Sequence, residues 1–206
     1  MKYETFPVGQ MGTNCYLVYE GNDAVVIDAG GGFSEVYSRS LTLNLKIHAV
    51  LLTHGHFDHT MGAGEYMEKG IPLGISLKDE YMLSPHRDNL AKYFGIKWQE
   101  LKADFNFKDG EILTFGELKL KALSTPGHTA GSFSFLCDYV CFSGDTLFLE
   151  SVGRTDFPTG SHSSLLKSVR EKLFVLPNET PVCPGHNEPT TIGHEKKFNP
   201  YLAEEQ

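Results

Sequence analysis

Apolar positions along the chain fall into short, β-branched runs separated by glycine-rich turns and by stretches of helical spacing. The N-terminal third carries strand patterns over Tyr3–Val8, Asn14–Tyr19 and Ala24–Asp28, the last running into Ala29-Gly30-Gly31-Gly32. Phe33–Leu43 has helical character and leads into a buried-strand pattern at Ile47–Leu52. A helix is predicted over Thr60–Lys69, closed by Gly70, followed by a short strand at Ile71–Ile75. Polar and amphipathic helical pieces fill Leu77–Phe94 and continue at Gln99–Ala103. Beyond Asn106 the pattern returns to strands, at Glu111–Phe115, Leu118–Leu123, Ser132–Leu136 and Tyr139–Ser143. Then come a helix at Ser161–Phe174, a strand at Thr180–Cys183 and a terminal helix at Thr190–Lys197. Strand runs interleaved with helices predict an α/β protein whose sheets are covered by helices on their outer faces.

With 206 residues and no low-complexity tract or linker, the expectation is a single domain spanning 1–206. Hydrophobic residues make up 40% and charged residues 21% of the chain, as in ordinary globular proteins. A formal net charge of −8 provides no electrostatic footprint for nucleic acid or an anionic membrane. Met1-Lys2-Tyr3-Glu4-Thr5-Phe6-Pro7 lacks the apolar run of a signal peptide, so the expected location is the cytoplasm. Cys15, Cys137, Cys141 and Cys183 are too few and scattered for a disulfide framework. Cys137 and Cys141 flank a turn at Asp138-Tyr139, which admits a bridge or a metal pair, but buried thiols are the simpler expectation.

The chemistry concentrates in Thr53-His54-Gly55-His56-Phe57-Asp58-His59, four potential metal ligands within six residues at a strand end. That many polar groups in one short buried loop would carry a large desolvation cost unless a cation satisfied them. Three further strings share one context, a strand end followed by Gly or Pro beside His or Asp: Thr125-Pro126-Gly127-His128, Ser143-Gly144-Asp145-Thr146 and Cys183-Pro184-Gly185-His186. Strand ends in layered folds converge on one edge, where loops build sites. His54, His56, Asp58, His59, His128, Asp145 and His186 make seven candidate ligands. Seven is too many for one tetrahedral ion that keeps a water position. The number divides into three plus three with one shared carboxylate. Two cations about 3.5–4 Å apart that share a hydroxide generate a nucleophile at neutral pH. Asp28 and Thr53 are candidates for orienting the ligands. The other four histidines, His48, His86, His162 and His194, are expected to be structural or exposed.

The string from Thr53 to His59 resembles the T-H-x-H-x-D-H signature of the metallo-β-lactamase superfamily, and His128, Asp145 and His186 match its later metal positions in order. The resemblance covers essentially the whole chain and implies a four-layer αββα sandwich with the site at one edge of the paired sheets. It implies His54, His56 and His128 on one metal, Asp58, His59 and His186 on the other, and Asp145 bridging. It implies two divalent ions, zinc first, with iron or manganese also compatible with nitrogen and oxygen donors.

Within the superfamily the chain looks like the short bacterial form of glyoxalase II. The supporting strings are Thr125–Ser132, Gly144-Asp145-Thr146-Leu147-Phe148, Gly153-Arg154-Thr155-Asp156-Phe157-Pro158, Thr190-Thr191-Ile192-Gly193 and Asn199-Pro200. Long members of that group carry a C-terminal helical extension that holds glutathione. The chain stops at Gln206, so no such extension is expected. Asn187 stands where those hydrolases more often have Gly.

The implied function is hydrolysis of a small thioester of the hydroxyacylglutathione type through a metal-bridging hydroxide, with Asp58 also orienting or deprotonating the nucleophile. Arg154 is a candidate for binding a substrate carboxylate, set against a surface ion pair with Asp156. The nearest alternative is a persulfide dioxygenase, which shares the G-R-T-D-F string and would hold a single iron on His54, His128 and Asp145. A lactonase on the same fold is a further alternative, as is a metal-stabilised binding protein without turnover.

Overall fold

The computed structural model describes residues 1–202. Strands β1 (Lys2–Val8), β2 (Thr13–Glu20), β3 (Asp23–Ile27), β4 (Lys46–Leu51), β5 (Leu73–Ser76) and β6 (Phe105–Phe107) form one sheet in that order. A second sheet begins with β7 (Ile112–Phe115), β8 (Leu118–Ser124), β9 (Phe133–Cys137) and β10 (Val140–Gly144). After a small ribbon, β11 (Leu147–Phe148) and β12 (Ser151–Val152), it is completed by β13 (Pro181–Pro184) and β14 (Thr190–Thr191), in the order β14-β13-β10-β9-β8-β7. Helices α1 (Phe33–Thr42), α2 (Phe57–Thr60) and α3 (Ala63–Met67) follow strands of the first sheet; α4 (His162–Ser168) and α5 (Ile192–Phe198) belong with the second.

Three apolar layers separate the four structural ones. Val18, Val25, Ile27, Ala49 and Leu51 meet Leu120, Ala122, Phe135 and Phe142 between the sheets. The alternate positions Leu17, Ala24, Val26 and Val50 pack instead on Val36, Ala63 and Tyr66 of the first helical layer. On the far side, Cys141 and Val182 pack against Val169, Leu173 and Ile192. Each full burial of such an aliphatic or aromatic side chain is worth about 1.5–3 kcal/mol relative to exposure. Strands β3 and β4 pair in parallel and are apolar on both faces, so they appear in the sequence as continuous runs. Strand β8 keeps Lys119 and Lys121 outward between buried Leu118, Leu120 and Ala122, the alternation of a half-covered strand. The expected αββα layering is therefore present.

Several boundaries differ from the sequence expectation, each for a local reason. The helix expected over Thr60–Lys69 is two short pieces, and the first begins at Phe57 inside the His-rich string. Gly62 leaves the helix between them, donating its N–H to the Ala29 carbonyl at 2.8 Å. A Cβ there would stand 2.8 Å from the Gly31 backbone, so the close approach requires glycine. The expected helix over Ser161–Phe174 widens into a π-type turn at Val169–Leu173. Thr190 and Thr191 pair with β13 rather than opening the last helix, and the Thr191 side chain caps α5 by accepting from the His194 N–H. Leu77–Phe94 forms three short 3₁₀ turns. Gln99–Ala103 has no regular structure, and β6, three residues at a sheet edge, gives no periodic signal.

All four cysteines are free and buried. Cys137 lies in the layer between the sheets and Cys141 in the outer layer beneath α4 and α5, on opposite faces of one sheet. That separation rules out a bridge between them. Burial pushes the Cys137 and Cys141 thiols up to about 12 and Cys183 up to about 11. Because the thiolate is the reactive form, the native protein is expected to leave Ellman's reagent unreacted at pH 8, whereas guanidinium exposes all four thiols. Rapid titration of any of them in the native state would contradict this packing.

Among the described residues, no helix is long and apolar enough to cross a membrane.

Candidate metal centre

Four strand ends deliver the polar side chains. The chain leaves β4 into Thr53–His59, β8 into Thr125–His128, β10 into Asp145 and β13 into Gly185-His186. All seven expected ligand residues converge there. Three groups of donors lie within 4.8 Å of one another: His54, His56 and His128; His54, His59 and Asp145; and Asp58, His59 and His186. His128 Nε2 stands 2.9 Å from His56 Nδ1, and His59 Nε2 3.4 Å from His186 Nε2. Asp145 lies between the histidines, with Oδ1 3.4 Å from His59 Nε2 and Oδ2 3.5 Å from His128 Nε2 and 3.7 Å from His186 Nε2. Asp58 Oδ2 is 3.2 Å from His186 Nε2.

These contacts place ring nitrogens against ring nitrogens, an arrangement that protons alone satisfy poorly. Three buried atoms here have no hydrogen-bond partner, His54 Nε2, His56 Nε2 and Asp145 Oδ1. Unpartnered buried polar atoms are costly. An all-nitrogen-and-oxygen donor set of this density fits divalent cations. Gly185 supplies the space: a Cβ on it would lie 2.2 Å from Asp145 Oδ1 and 2.7 Å from His59 Cε1.

The electrostatics divide the cluster. Burial, reinforced by the neighbouring imidazoles, holds His54 well below its ordinary value. Burial and the adjacent His128 lower His56 to about 3. These two rings are neutral at physiological pH, the form that can ligate. His59 goes the other way. Burial disfavours its charge, but Asp145, Asp28 and Asp58 together raise it well above the ordinary value. Asp145 stays ionised despite its burial because His59, His128 and His186 surround it.

Supporting residues fix which nitrogen each ring presents. Asp28 Oδ1 accepts the Thr53 backbone N–H at 2.8 Å, and its Oδ2 accepts the Thr53 hydroxyl at 2.8 Å. The same Oδ2 faces His59 Nδ1 at 2.9 Å, so that nitrogen donates and Nε2 turns into the cluster. With its own proton on Asp28, the Thr53 oxygen accepts from His54 Nδ1 at 3.0 Å. The Arg154 carbonyl accepts from His128 Nδ1 at 2.7 Å, again freeing Nε2.

Other supports carry no sequence signal. Thr13 donates to Asp58 Oδ2 at 3.1 Å. Buried Asp79 accepts from the Gly55 N–H at 3.1 Å and the Thr129 hydroxyl at 2.6 Å, tying the His-rich loop to the His128 loop. Asn14 donates to the carbonyls of Pro184 and Asn187, and Tyr16 to that of Pro184, so β2 holds the His186 loop. Asn187 adopts φ +61°, a left-handed conformation that Asn and Gly tolerate best. Thus Asn187 can occupy a position that favours Gly without distorting the His186 loop.

The remaining histidines stay outside the cluster. His48 pairs with Asp23 at 2.6 Å, His194 with Glu150 at 3.0 Å, His86 accepts from the Asp88 N–H, and His162 opens α4.

Above the donors lies a cleft of about 380 Å³. Arg154 is on its rim, mostly exposed, with Nε and Nη2 on the two Asp156 carboxylate oxygens at 2.8 and 2.7 Å. Its guanidinium lies 3.9 Å from the centre of the Phe157 ring. The surface ion pair is formed, at the edge of the cleft.

Comparison with known proteins agrees with this geometry. Residues 8–186 match the metallo-beta-lactamase superfamily. A hydroxyacylglutathione hydrolase, GloC, from Haemophilus influenzae is 35% identical, with 98% of each chain covered. Among solved structures, the BLEG-1 B3 metallo-beta-lactamase superposes with a TM-score of 0.91 at 33% identity, covering 98% of this chain and 100% of that one. TTHA1623 in a di-iron-bound form gives 0.87 at 33% identity, with 97% and 100% covered. ETHE1 from Myxococcus xanthus gives 0.79 at 29% identity, with 97% and 84% covered. With the layered sheets, the seven converging donors and the match over most of its length, the chain belongs to the metallo-beta-lactamase superfamily of metallo-hydrolases.

Proposed function

We propose that the protein is a dinuclear metal-dependent thioester hydrolase acting on hydroxyacylglutathione-type thioesters. The observation that carries this reading is the position of Asp145, whose two carboxylate oxygens reach toward His59 on one side and His128 and His186 on the other. His54, His56 and His128 would hold one divalent cation, Asp58, His59 and His186 the other, with Asp145 shared. Zinc suits the donors, as do iron and manganese, and one similar structure carries two irons. When bound, such a pair supplies Lewis-acid polarisation of the carbonyl and a hydroxide at neutral pH.

The chain's own residues supply the rest. Asp58, whose Oδ2 is held by Thr13 and faces His186, would orient the attacking water or take its proton besides ligating. Asp28 and the Arg154 carbonyl keep His59 and His128 in the ligating tautomer. A thiolate leaves readily enough that no dedicated acid is required, and none is needed at the cleft. The cleft volume suits a small molecule. The similarity to a protein named as a hydroxyacylglutathione hydrolase supports the substrate class.

The test is hydrolysis of S-lactoylglutathione by metal-loaded protein, with oxygen uptake on glutathione persulfide measured in parallel. The expected result is metal-dependent thiol release, abolished by a chelator and restored by added cation. Oxygen uptake without thioester cleavage would overturn the hydrolase reading in favour of single-iron chemistry on His54, His128 and Asp145.

A further inference from the structure

Beside the donor cluster, separated from it by Asp58, is a second hollow of about 150 Å³. Its apolar walls are Met11, Phe57, Met61, Phe94 and Ile96, with Gln10 and Asp58 as the polar members of the lining. Met11, Phe57, Asp58 and Phe94 also line the cleft above the metal ligands, so the two spaces adjoin across shared walls. Phe57 is buried and its ring lies 5.1 Å from that of Phe94. Met11, Met61 and Phe94 nevertheless leave 46%, 45% and 49% of their surface exposed. Three large apolar side chains left open around one slot mark a binding surface rather than unfinished packing. Methionine suits such a wall, because its unbranched thioether chain adapts to the shape of what enters.

Charge near the reaction centre points the same way. Among the residues lining the cleft, Arg154 is the one permanently cationic side chain, and Asp156 already occupies both its facing nitrogens. With Arg154 so engaged, the side of the cleft toward the slot presents the apolar side chains of Met11, Phe57 and Phe94.

From this geometry we infer a specificity subsite: the slot formed by Met11, Phe57, Met61, Phe94 and Ile96 receives a saturated hydrocarbon chain of the thioester. Its volume holds roughly five methylene-sized groups, taking ~30 Å³ for each. The inference rests on the hydrolase reading for the reaction but not for the binding. Each methylene that enters the slot is expected to raise kcat/KM by about two- to fourfold.

Two measurements test it. First, kcat/KM is measured on S-acyl-N-acetylcysteamine thioesters from acetyl to hexanoyl, and on S-alkyl thioacetates of increasing alkyl length. The first series probes an acyl chain, the second a thiol-side chain. The expected result is a progressive rise along one series, reduced to within about twofold from end to end in Met61→Ser and Phe94→Ser. Both residues are half-exposed, so the variants are expected to fold. Second, protein labelled with ¹³C at its methionine methyls is titrated with the thioether S-hexyl-N-acetylcysteamine, which cannot be hydrolysed. The Met11 and Met61 signals are expected to move saturably while that of fully buried Met82 stays. Thioester cleavage with no chain-length dependence in either series, and methionine signals unmoved, would overturn the subsite and leave the hydrolase reading standing. Absence of all thioester cleavage would overturn the hydrolase reading, and the methyl titration would then decide the subsite alone.

Discussion

Replacing Asp145 by Ala is expected to remove at least one bound cation per chain and to lower thioester turnover by about 10²–10³-fold or more. The size of the effect follows from where the carboxylate sits. It is buried and ionised, and it lies within 3.4–3.7 Å of three imidazole nitrogens that converge from β13, the β8 loop and the His-rich loop. Removing it strips the shared anion from between those nitrogens and leaves His128 Nε2 without its carboxylate partner. Elemental analysis of the purified variant after dialysis against zinc reads the metal loss directly, and circular dichroism establishes that the sheets persist. Retention of full metal and full turnover would refute the shared-carboxylate assignment.

Asp28→Asn should weaken metal binding by about 10–100-fold while leaving the fold intact. The substitution conserves shape, and Asn tolerates the φ of +58° at this position. What changes is acceptor capacity. Asp28 Oδ2 accepts from Thr53 Oγ1 and His59 Nδ1 at once, whereas an amide nitrogen placed there accepts neither. His59 then loses the partner that sets its tautomer, and Thr53 loses the acceptor that orders its contact with His54. Activity should recover at saturating metal, which distinguishes a positioning role from general loss of structure. A titration giving unchanged affinity would show that Asp28 does not orient the ligands.

Much of this site was visible in the residue order. Each of the seven donors follows an apolar run that ends at a glycine or a tight turn. Parallel strands buried on both faces announce themselves as uninterrupted apolar segments, as in Ala24–Ile27 and Ala49–Leu52. Asp28 and Thr53 stood out because they border those runs, and the structure joins them.

The missed supports are of a different kind. Asp79 sits in a polar stretch that resembles a solvated helix face, and only the folded chain shows it buried between Gly55 and Thr129. Thr13 and Asn14 begin an ordinary strand, and their contacts with Asp58 and the His186 loop span 45 and 170 or more residues. Pairings at that separation leave no local periodicity. The split of the helix expected over Thr60–Lys69 has the same origin, because the tertiary bond from Gly62 to Ala29 overrides helical spacing. The apolar slot was equally hidden, since its walls come from the β1–β2 turn, α2 and the last 3₁₀ turn.

A pair of cations gripped by seven side chains is tested most directly by metal stoichiometry. Protein stripped with chelator, titrated with zinc and freed of excess ion should retain two equivalents per chain, with thioesterase activity appearing as the second is bound. Saturation at a single equivalent with full activity would contradict it.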